Sequence, residues 1–410
     1  MKQEIKQRIE RINLGEVPEG YKADGNTTVP IEWKISKVKS CMEIRNNLRT
    51  PISEQERFSI CGEYPYYGPT KIQGYINNYS IEGKHVLIGE DGDHFLKYKD
   101  KDMTLLVGGK FNVNNHAHVL RGTQKCMTEW FFYNFKNKSL SEYLTRQGAG
   151  RYKLTKDSLE RIKVILPPLP EQEKIADILS TWDKSIELKE QYVKALEGQK
   201  KALMQHLLTG TVRLSGFTDE WNEFRLKTLL IESNNRNKDL TTDIIYSISN
   251  KSGFIPQDEQ FDKIVASKDI SNYKIISKGC IAYNPSRINV GSIASFDLDF
   301  DVVVSPMYVV FKCKEKLLIT DFMRQWISSH TFDQQMKALL SGSVRDSLNF
   351  SDLGLIKINL PPIKEQKAII QVLYLADFEI SLKKAELAIL KLQKKGLMQV
   401  LLTGKVRVAT

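Results

Sequence analysis

Apolar residues recur at alternating steps of four and three along two long stretches of the chain, and this spacing predicts two long helices with a coiled-coil seam. Eight of the ten seam positions are apolar in each stretch, and lysines occupy the same two steps of both. The seam positions are Ile175, Leu179, Trp182, Ile186, Lys189, Val193, Leu196, Lys200, Leu203 and Leu207, then Ile369, Leu373, Ala376, Ile380, Lys383, Leu387, Leu390, Lys394, Leu397 and Leu401.

The ends of both helices are marked by residues that start or stop a helix. A Pro-Pro pair precedes each stretch, and a Glu-Gln pair then places a carboxylate in the first turn, where the helix dipole favours it. Gly210 and Gly404 stand where each helix is expected to stop. A helix over residues 171–208 would be about 57 Å long at 1.5 Å per residue.

The two stretches belong to a repeat. Residues 166–214 align without gaps on residues 360–408, with 24 identities in 49 positions. Fainter matches lie upstream, and Glu32-Trp33 recurs as Glu220-Trp221 at the start of each unit. We therefore divide the chain into an N-terminal helix and lead-in (1–33), a first variable region (34–165), a first repeated helix (166–214), a second variable region (215–359) and a second repeated helix (360–410).

Two seams of equal length are expected to pair with each other. The spacing alone allows parallel or antiparallel pairing, and the symmetry of the repeat favours antiparallel. The alternative is a coiled coil between two chains.

The variable regions contain short β-type runs separated by turn formers, such as residues 64–69 and 85–89 in the first and residues 246–253 and 302–307 in the second. Together with the helices they predict an α+β fold of mixed α/β character.

Composition adds a first indication of the partner. The 410 residues carry a formal net charge of +11, which favours a polyanion such as nucleic acid, although charge alone also fits an ordinary basic protein. The charge is uneven, at +8 over residues 34–165 and −1 over residues 215–359, so phosphate affinity is expected to be lopsided.

Several classes of protein are disfavoured. The five cysteines are far apart, which argues against a disulfide framework or a zinc site. No apolar run approaches the roughly 18 to 20 residues of a membrane span, and the charged N-terminus has no apolar signal region, so we expect a cytoplasmic protein without a membrane span.

Enzyme motifs are incomplete. Residues 283–286 lack the second proline and the aromatic residue of an adenine methyltransferase loop, and residues 108–110 lack the rest of a phosphate loop. We expect no catalytic residue and no metal ligand, and His116 and His118 are expected to serve packing or loop contacts.

The variable loops are rich in side chains that read base edges, because Arg pairs with guanine and Asn with adenine. For any single residue, an ordinary turn role is about equally plausible. The first cluster is Arg45, Asn46, Asn47 and Arg49, and the second is Asn234, Asn235, Arg236, Asn237, Lys238, Asn284 and Arg287.

The duplicated Leu-Pro-Pro and Glu-Gln helix that ends in Gln-Lys-Lys-x-Leu-Met-Gln-x-Leu-Leu-Thr-Gly, alternating with two divergent regions that each open near a Trp, resembles the specificity subunit of type I restriction-modification systems. The resemblance covers nearly the whole chain. Residues 64–68, 74–76, 283–287 and 290–291 also look like segments of that family's target recognition domains.

The resemblance implies a non-catalytic DNA-recognition subunit. Each variable region would read one half of a bipartite, asymmetric site in double-stranded DNA, and the helices would form an intramolecular antiparallel coiled coil that sets the spacing. Two methyltransferase subunits would dock on residues 171–208 and 365–402, and two motor-nuclease subunits would join the complex. The N-terminal helix, Lys2 to Leu14, would pack beside the coiled coil. No cofactor is expected in this chain, since S-adenosylmethionine, ATP and Mg belong to the partners.

Further site residues follow from position. Arg151 and Arg345 lie at matching places before each repeated helix and are expected to contact phosphate, with a structural salt bridge as the alternative. Arg287 and Asn46 are expected to read bases. The remaining DNA-binding candidates are Tyr66, Tyr67, Lys71, Asn250, Lys251 and Ser286. The competing function is a coiled-coil scaffold that presents two protein- or peptide-binding domains.

Overall fold

The computed structural model describes residues 3–25, 27–147, 151–250, 252–257, 269–341 and 347–409. The chain divides into two units, of which unit 1 comprises Met1–Glu190 with Glu386–Thr410 and unit 2 comprises Gln191–Ala385. Helices and strands alternate in both units, which confirms the α+β class. Among the described residues, no helix is both long and apolar enough to cross a bilayer.

The helices of the first half are α1 Gln3–Asn13, α2 Val38–Cys41, α3 Glu54–Ser59, α4 Thr128–Lys136, α5 Lys156–Arg161 and α6 Leu169–Thr209. The helices that follow are α7 Leu226–Leu229, α8 Thr320–Trp326, α9 His330–Ser341, α10 Phe350–Leu353 and α11 Ile363–Leu401.

The strands of unit 1 are β1 Tyr21–Asp24, β2 Thr27–Pro30, β3 Lys34–Lys37, β4 Met42–Ile44, β5 Cys61–Tyr67, β6 Ile72–Ile76, β7 Ile81–Glu82, β8 His85–Gly89, β9 Thr104–Val107, β10 Lys110–Val113, β11 Ala117–Gly122, β12 Thr145–Gln147, β13 Arg151–Lys153 and β14 Lys163–Leu166. Those of unit 2 are β15 Asn222–Arg225, β16 Leu230–Glu232, β17 Tyr246–Ser249, β18 Gly253–Pro256, β19 Lys274–Ile276, β20 Ile281–Tyr283, β21 Ile293–Ser295, β22 Val302–Val304, β23 Val309–Cys313 and β24 Lys357–Leu360.

The two units have the same arrangement of strands and helices, which we call the frame. The four-stranded sheet β4-β11-β8-β9 of unit 1 has the same strand order as β16-β23-β20-β21 of unit 2, and the antiparallel pair β3–β14 corresponds to β15–β24. In each case a helix, α4 or α8, follows the central strand and contributes large aromatic side chains to the core. The pseudo-symmetry that the repeat predicts therefore extends through the variable regions, whose sequences barely match.

The long helices end where the sequence predicts. Helix α6 stops at Thr209 and α11 at Leu401, and the glycines that follow, Gly210 and Gly404, have positive φ angles of 71° and 72°. Glycine adopts this left-handed conformation without strain, so it terminates a helix cleanly. All twenty seam positions are buried or half-buried, which confirms the seam.

Ion pairs at and beside the lysine steps give the direction of pairing within each unit. In unit 1, Asp183 pairs with Lys394 and Lys189 with Glu386, so the second residue number falls as the first rises. In unit 2 the same trend holds for Glu197 with Lys384 and Lys200 with Asp377. The helices are therefore antiparallel in both units, and the coiled coil forms within one chain.

The Glu-Gln motif and the tail of the repeat join distant parts of each unit. Glu171 is 1% exposed and accepts hydrogen bonds from the Arg407 guanidinium at 2.6 and 2.9 Å and from the Trp33 indole at 2.9 Å. In unit 2, Glu365 is fully buried and accepts from Arg213 at 2.7 Å twice. We call these contacts the clamps of units 1 and 2.

The same contacts explain the paired tryptophans. Trp221 donates to the clamp carboxylate of unit 2 at 3.2 Å, as Trp33 does in unit 1. Each tryptophan also packs on the glycine that ends a long helix, because a Cβ on Gly210 would meet Trp221 at 3.2 Å and one on Gly404 would meet Trp33 at 3.2 Å. The Glu-Trp and Leu-Leu-Thr-Gly motifs are thus parts of one structural joint.

The N-terminal helix lies against the end of the chain. Arg8 of α1 donates to the Lys405 carbonyl at 3.2 and 3.3 Å, and Lys405 Nζ donates to Asn13 at 2.6 Å. Helix α1 thus contacts the segment that follows α11. This position is close to the one expected for the N-terminal helix, which was beside the coiled coil.

Candidate nucleic-acid interface

The central sheet of each unit brings the candidate loops to one edge. In unit 1, β4 and β8 both pair antiparallel with β11, so their carboxyl ends lie at the same edge as the start of β11. The loops at residues 45–49, 90–92 and 114–116 therefore meet there. In unit 2, β16 and β20 flank β23 in the same way and place the loops at 233–238, 284–292 and 305–308 together.

Arg49 ties the loops of unit 1 to one another. Its Nη1 donates to Glu90 Oε2 at 2.7 Å and to the Asn115 carbonyl at 3.0 Å, and its Nε donates to the Asn46 carbonyl at 3.0 Å. Lys153 approaches the other Glu90 oxygen at 3.4 Å. The guanidinium charge is thus neutralised within the protein, and the structure gives Arg49 a structural role.

The Asn46 amide is also engaged. Its Nδ2 donates to His118 Nδ1 at 2.9 Å, and its Oδ1 accepts from the Val119 backbone at 3.0 Å. His118 Nε2 donates to the Leu154 carbonyl at 2.7 Å, so the buried imidazole is neutral with its proton on Nε2. Burial lowers the pKa of His118, in agreement with this assignment. The amide therefore holds the loop on β11, whereas base reading by Asn46 stays a prediction.

Arg45 and Asn47 complete this loop. Arg45 lies 3.4 Å from Glu43 and donates to His85 Nε2 at 3.3 Å, so its charge is partly balanced. Asn47 is exposed. Of the four candidates in this cluster, Asn47 has the side chain most accessible to a ligand.

The aromatic candidates of unit 1 differ from each other in exposure. Tyr66 is fully buried, and its hydroxyl accepts from the Ile52 backbone at 3.0 Å and donates to the Thr50 carbonyl at 2.9 Å. Tyr67 is half-buried and packs edge-on against Phe111. The structure thus places Tyr66 in the core, whereas its assignment as a DNA contact stays a prediction.

Two basic candidates of unit 1 remain. Lys71 is exposed at the turn between β5 and β6. Arg151 begins β13. Lys153 of the same strand pairs with Asp91 through an isolated backbone β-bridge, so the backbone of β13 lies near the same sheet edge. The side chain of Arg151 lies outside the described residues.

In unit 2 the loop after β20 presents an unpaired cation. The Asn284 side chain is 8% exposed and accepts from the Ser286 backbone at 3.1 Å, which shapes a tight turn. Ser286 and Arg287 follow on the outside of this turn and are exposed. Among the described residues, the Arg287 side chain has no hydrogen-bond or ion-pair partner, so its guanidinium is available to a ligand.

The other candidates of unit 2 surround this loop. Asn250 lies beside it, with its carbonyl 3.7 Å from the Cβ position of Gly291, and is exposed. Asn235 and Lys238 are exposed, whereas Arg236 donates to the Asn272 carbonyl at 2.7 Å. Asn234 is exposed and Asn237 is fully buried. Lys251 and Arg345 lie outside the described residues.

Sequence reasoning missed the third loop of the unit 1 edge. Asn115 and His116 are exposed, and His116 Nδ1 lies 2.5 Å from Asp91. A groove of 370 Å³ runs beside them, lined by polar residues that include Gln73 and Asn114. The Asn-Asn-His run between two β-type runs was a signal that could have identified this loop.

The described residues contain no cluster of three or more His, Cys, Asp or Glu side chains suited to a metal ion. His118 and His85 are both buried and bonded to backbone carbonyls. The expected packing role is therefore confirmed for His118.

Comparison with known proteins gives a consistent identification. The family model of the type I restriction modification DNA specificity domain matches residues 30–198 and again residues 219–392. A putative type I restriction enzyme specificity subunit of Haemophilus influenzae is 27% identical over 361 residues, covering 84% of this chain and 86% of that protein. The MjaVIII specificity subunit of Methanocaldococcus jannaschii is 25% identical over 422 residues, covering 95% and 96%.

A solved structure shares the fold. The type I restriction-modification S subunit from M. genitalium superposes with a TM-score of 0.58 at 13% sequence identity, covering 95% of this chain and 98% of that one.

Proposed function

This chain belongs to the family of type I restriction-modification specificity subunits, which recognise DNA and are not catalytic, and from that premise we propose that it reads a bipartite DNA target, one half with each unit. The observation that carries the proposal is the duplicated frame with different loops. Both units bring three loops to the same edge of equivalent sheets, yet the residues in those loops differ. Equal frames with unequal loops suit a target whose two halves have different sequences.

We further propose that the paired helices fix the distance between the two half-sites. Ion pairs and a buried seam hold α6 and α11 together within each unit, and the clamps fasten their ends. A rigid connection of this kind suits a fixed spacer between the half-sites.

The outward face of α11 supports a docking site for a methyltransferase subunit. Leu375 and Phe378 are 62% and 61% exposed, and Leu382 continues the row at seven-residue spacing. Leu375 and Phe378 border a groove of 600 Å³ whose other apolar residues include Ile370 and Tyr374. An exposed apolar row on a helix fits the apolar face of a partner helix.

This part of the proposal has a matched test. The equivalent positions of α6 in unit 1 are Thr181 and Lys184, which are polar. We expect the double variant L375E/F378E to reduce copurification of the methyltransferase subunit at least about tenfold, and T181E/K184E to reduce it less. Equal retention of the partner by L375E/F378E and the wild type, with circular dichroism unchanged, would refute docking at this row.

The function itself is tested by methylation mapping. The chain is expressed with the methyltransferase subunit of its own system in a host without DNA methylation, and N6-methyladenine is mapped across the genome. We expect a split motif that is absent without this chain. An assembled, active complex that methylates no split motif would contradict the proposal. S-adenosylmethionine, ATP and Mg are proposed to act in the partner subunits, the nuclease motor among them.

A further inference from the structure

The motifs shared by the two repeats cannot tell one helix from the other. The clamp residues are the same in both copies, because Glu171 corresponds to Glu365 and Arg213 to Arg407. The seam pairs Asp183–Lys394 and Lys200–Asp377 are likewise formed by equivalent residues. If these contacts alone decided, α6 could pair equally well with α6 of a second copy of this chain.

Residues that differ between the copies must therefore select the partner helix. Two ion pairs at such positions mirror each other. Lys391 Nζ lies 2.6 Å from Glu190 Oε1 in unit 1, and Lys384 Nζ lies 2.6 Å from Glu197 Oε1 in unit 2. We call these four residues the pairing tetrad.

The tetrad has opposite charges on the two helices. The repeat alignment places Glu190 at the position of Lys384 and Glu197 at the position of Lys391. Helix α6 thus carries an acid at both positions and α11 carries a base at both. Pairing of unlike helices forms two attractive contacts.

Pairing of like helices would reverse the sign of each contact. An antiparallel pair of two α6 helices would oppose Glu190 of one copy to Glu197 of the other, twice. A pair of two α11 helices would oppose Lys384 to Lys391, also twice. Like charges at facing positions of a coiled coil are unfavourable and select against that pairing.

We propose that the pairing tetrad is a charge code that closes the coiled coil within one chain and rejects a second copy of this chain. The tetrad side chains are 47–55% exposed, so each contact is weak by itself. The selection arises because the pair of α6 with α11 has two attractive contacts, whereas a pair of like helices has repulsion at both equivalent contacts. The inference concerns assembly and stands independently of which DNA sequence is read.

Two double variants with the same net charge test the code. In E190K/K384E the native contacts become Lys–Lys and Glu–Glu, whereas like helices gain Lys–Glu contacts. In E190K/K391E one native pair is exchanged, so both native contacts remain attractive. Like helices gain Lys–Glu contacts in this variant too, so charge no longer discriminates, and the higher effective concentration of the partner helix in the same chain keeps the coiled coil closed within that chain. The variants differ only in which base is replaced by an acid, and both keep the net charge of +11.

The measurement is interchain association of full-length chains. Two copies with different affinity tags are expressed together, and the fraction of the second tag recovered with the first is determined. For E190K/K384E we expect this fraction to rise about tenfold over the wild type at low salt, and for E190K/K391E to stay within about twofold. The rise should diminish in 1 M salt, where the charges are screened.

A fourfold variant guards against misfolding. E190K/E197K/K384E/K391E reverses every charge and restores both attractive contacts, so it should behave like the wild type. An insoluble E190K/K384E beside a soluble fourfold variant also supports the code, because only the charge matching differs. The code is wrong if E190K/K384E and E190K/K391E are recovered with the second tag to the same extent.

Discussion

The loops of unit 1 and unit 2 show that charge counted along the sequence differs from charge presented at a surface. Residues 34–165 sum to +8, yet Arg49 and Arg45 of unit 1 face Glu90 and Glu43. Residues 215–359 sum to −1, yet unit 2 presents Arg287 without a partner among its described residues. At this edge of the sheet, unit 1 therefore pairs Arg45 and Arg49 with carboxylates, whereas unit 2 leaves the Arg287 guanidinium without a partner among the described residues.

The strand register sharpens this contrast. Pairing with the central strand makes Gly89 of β8 equivalent to Asn284, which directly follows β20. Consequently Asp91 stands where unit 2 has Ser286, and Gly92 stands where it has Arg287. The same turn is therefore acidic in unit 1 and basic in unit 2.

The largest expected effect tests whether the two frames are equal. Replacement R407A leaves the buried Glu171 carboxylate without its guanidinium, and R213A does the same to Glu365. We expect each variant to lower the free energy of unfolding by about 3 kcal/mol, because an unpaired buried charge is costly. Hydrogen exchange should place the loss in unit 1 for R407A and in unit 2 for R213A. Loss spread evenly over both units would contradict the equivalence.

A smaller effect tests the attachment of each variable domain to its helix. Gln366 is fully buried and bonds the Ile319 backbone at 3.1 Å and the Leu317 carbonyl at 2.8 Å, and Gln172 makes the matching contacts in unit 1. We expect Q366A and Q172A each to lower the free energy of unfolding by about 2 kcal/mol, since buried backbone groups lose their partners. Denaturant titration measures the loss, and Q366E serves as the isosteric control.

The loop contrast itself is tested by one variant from each unit. We expect R287A to relax the methylated motif at one position, by about 1–2 kcal/mol of discrimination, with the melting temperature unchanged. R49A should instead lower the melting temperature, because Glu90 loses its partner at 2.7 Å. Methylation mapping and thermal melting separate the two outcomes. A relaxed motif in R49A with unchanged melting would show that the loops of both units present cations alike.

The smallest effect is a pH dependence of unit 1. Burial lowers the pKa values of His85, His94 and His118 below the usual 6.5. The unfolded chain therefore binds protons more readily than the folded one, so stability is full above about pH 6.5 and falls as the pH drops below it. Hydrogen exchange at pH 7.5 and 5.5 should reveal weaker protection around β8 and β11. Equal protection at both pH values would contradict the neutral state assigned to His118.

Much of the fold could be predicted because its signals are local and periodic. The helix ends follow from Gly210 and Gly404, and the seam follows from apolar spacing, since both depend on residues close in sequence. The repeat itself pointed to the family, which the two family matches support independently.

The candidate site was less predictable for the same physical reason. Asn46 and Tyr66 have side chains typical of base contacts, but their hydrogen bonds to Val119 and Thr50 depend on pairings between distant strands. Whether an arginine meets a carboxylate or solvent is likewise set by the sheet that brings Glu90 to Arg49. Composition can indicate which residues have side chains suited to base contacts, but it cannot predict which residues those side chains pair with in the fold.

The sequence by itself determined the duplicated helices, their ends and the positions of the variable regions, because short-range spacing specifies helix and turn. Only the tertiary structure decided that the helices pair antiparallel within each unit, that Glu171 and Glu365 close the clamps, and which loop cations remain unpaired. The helix pairing and the clamps depend on contacts between residues more than 100 positions apart, and the contact of Arg49 with Glu90 spans 41 positions. The free energy of such contacts has no counterpart in the local pattern of the chain.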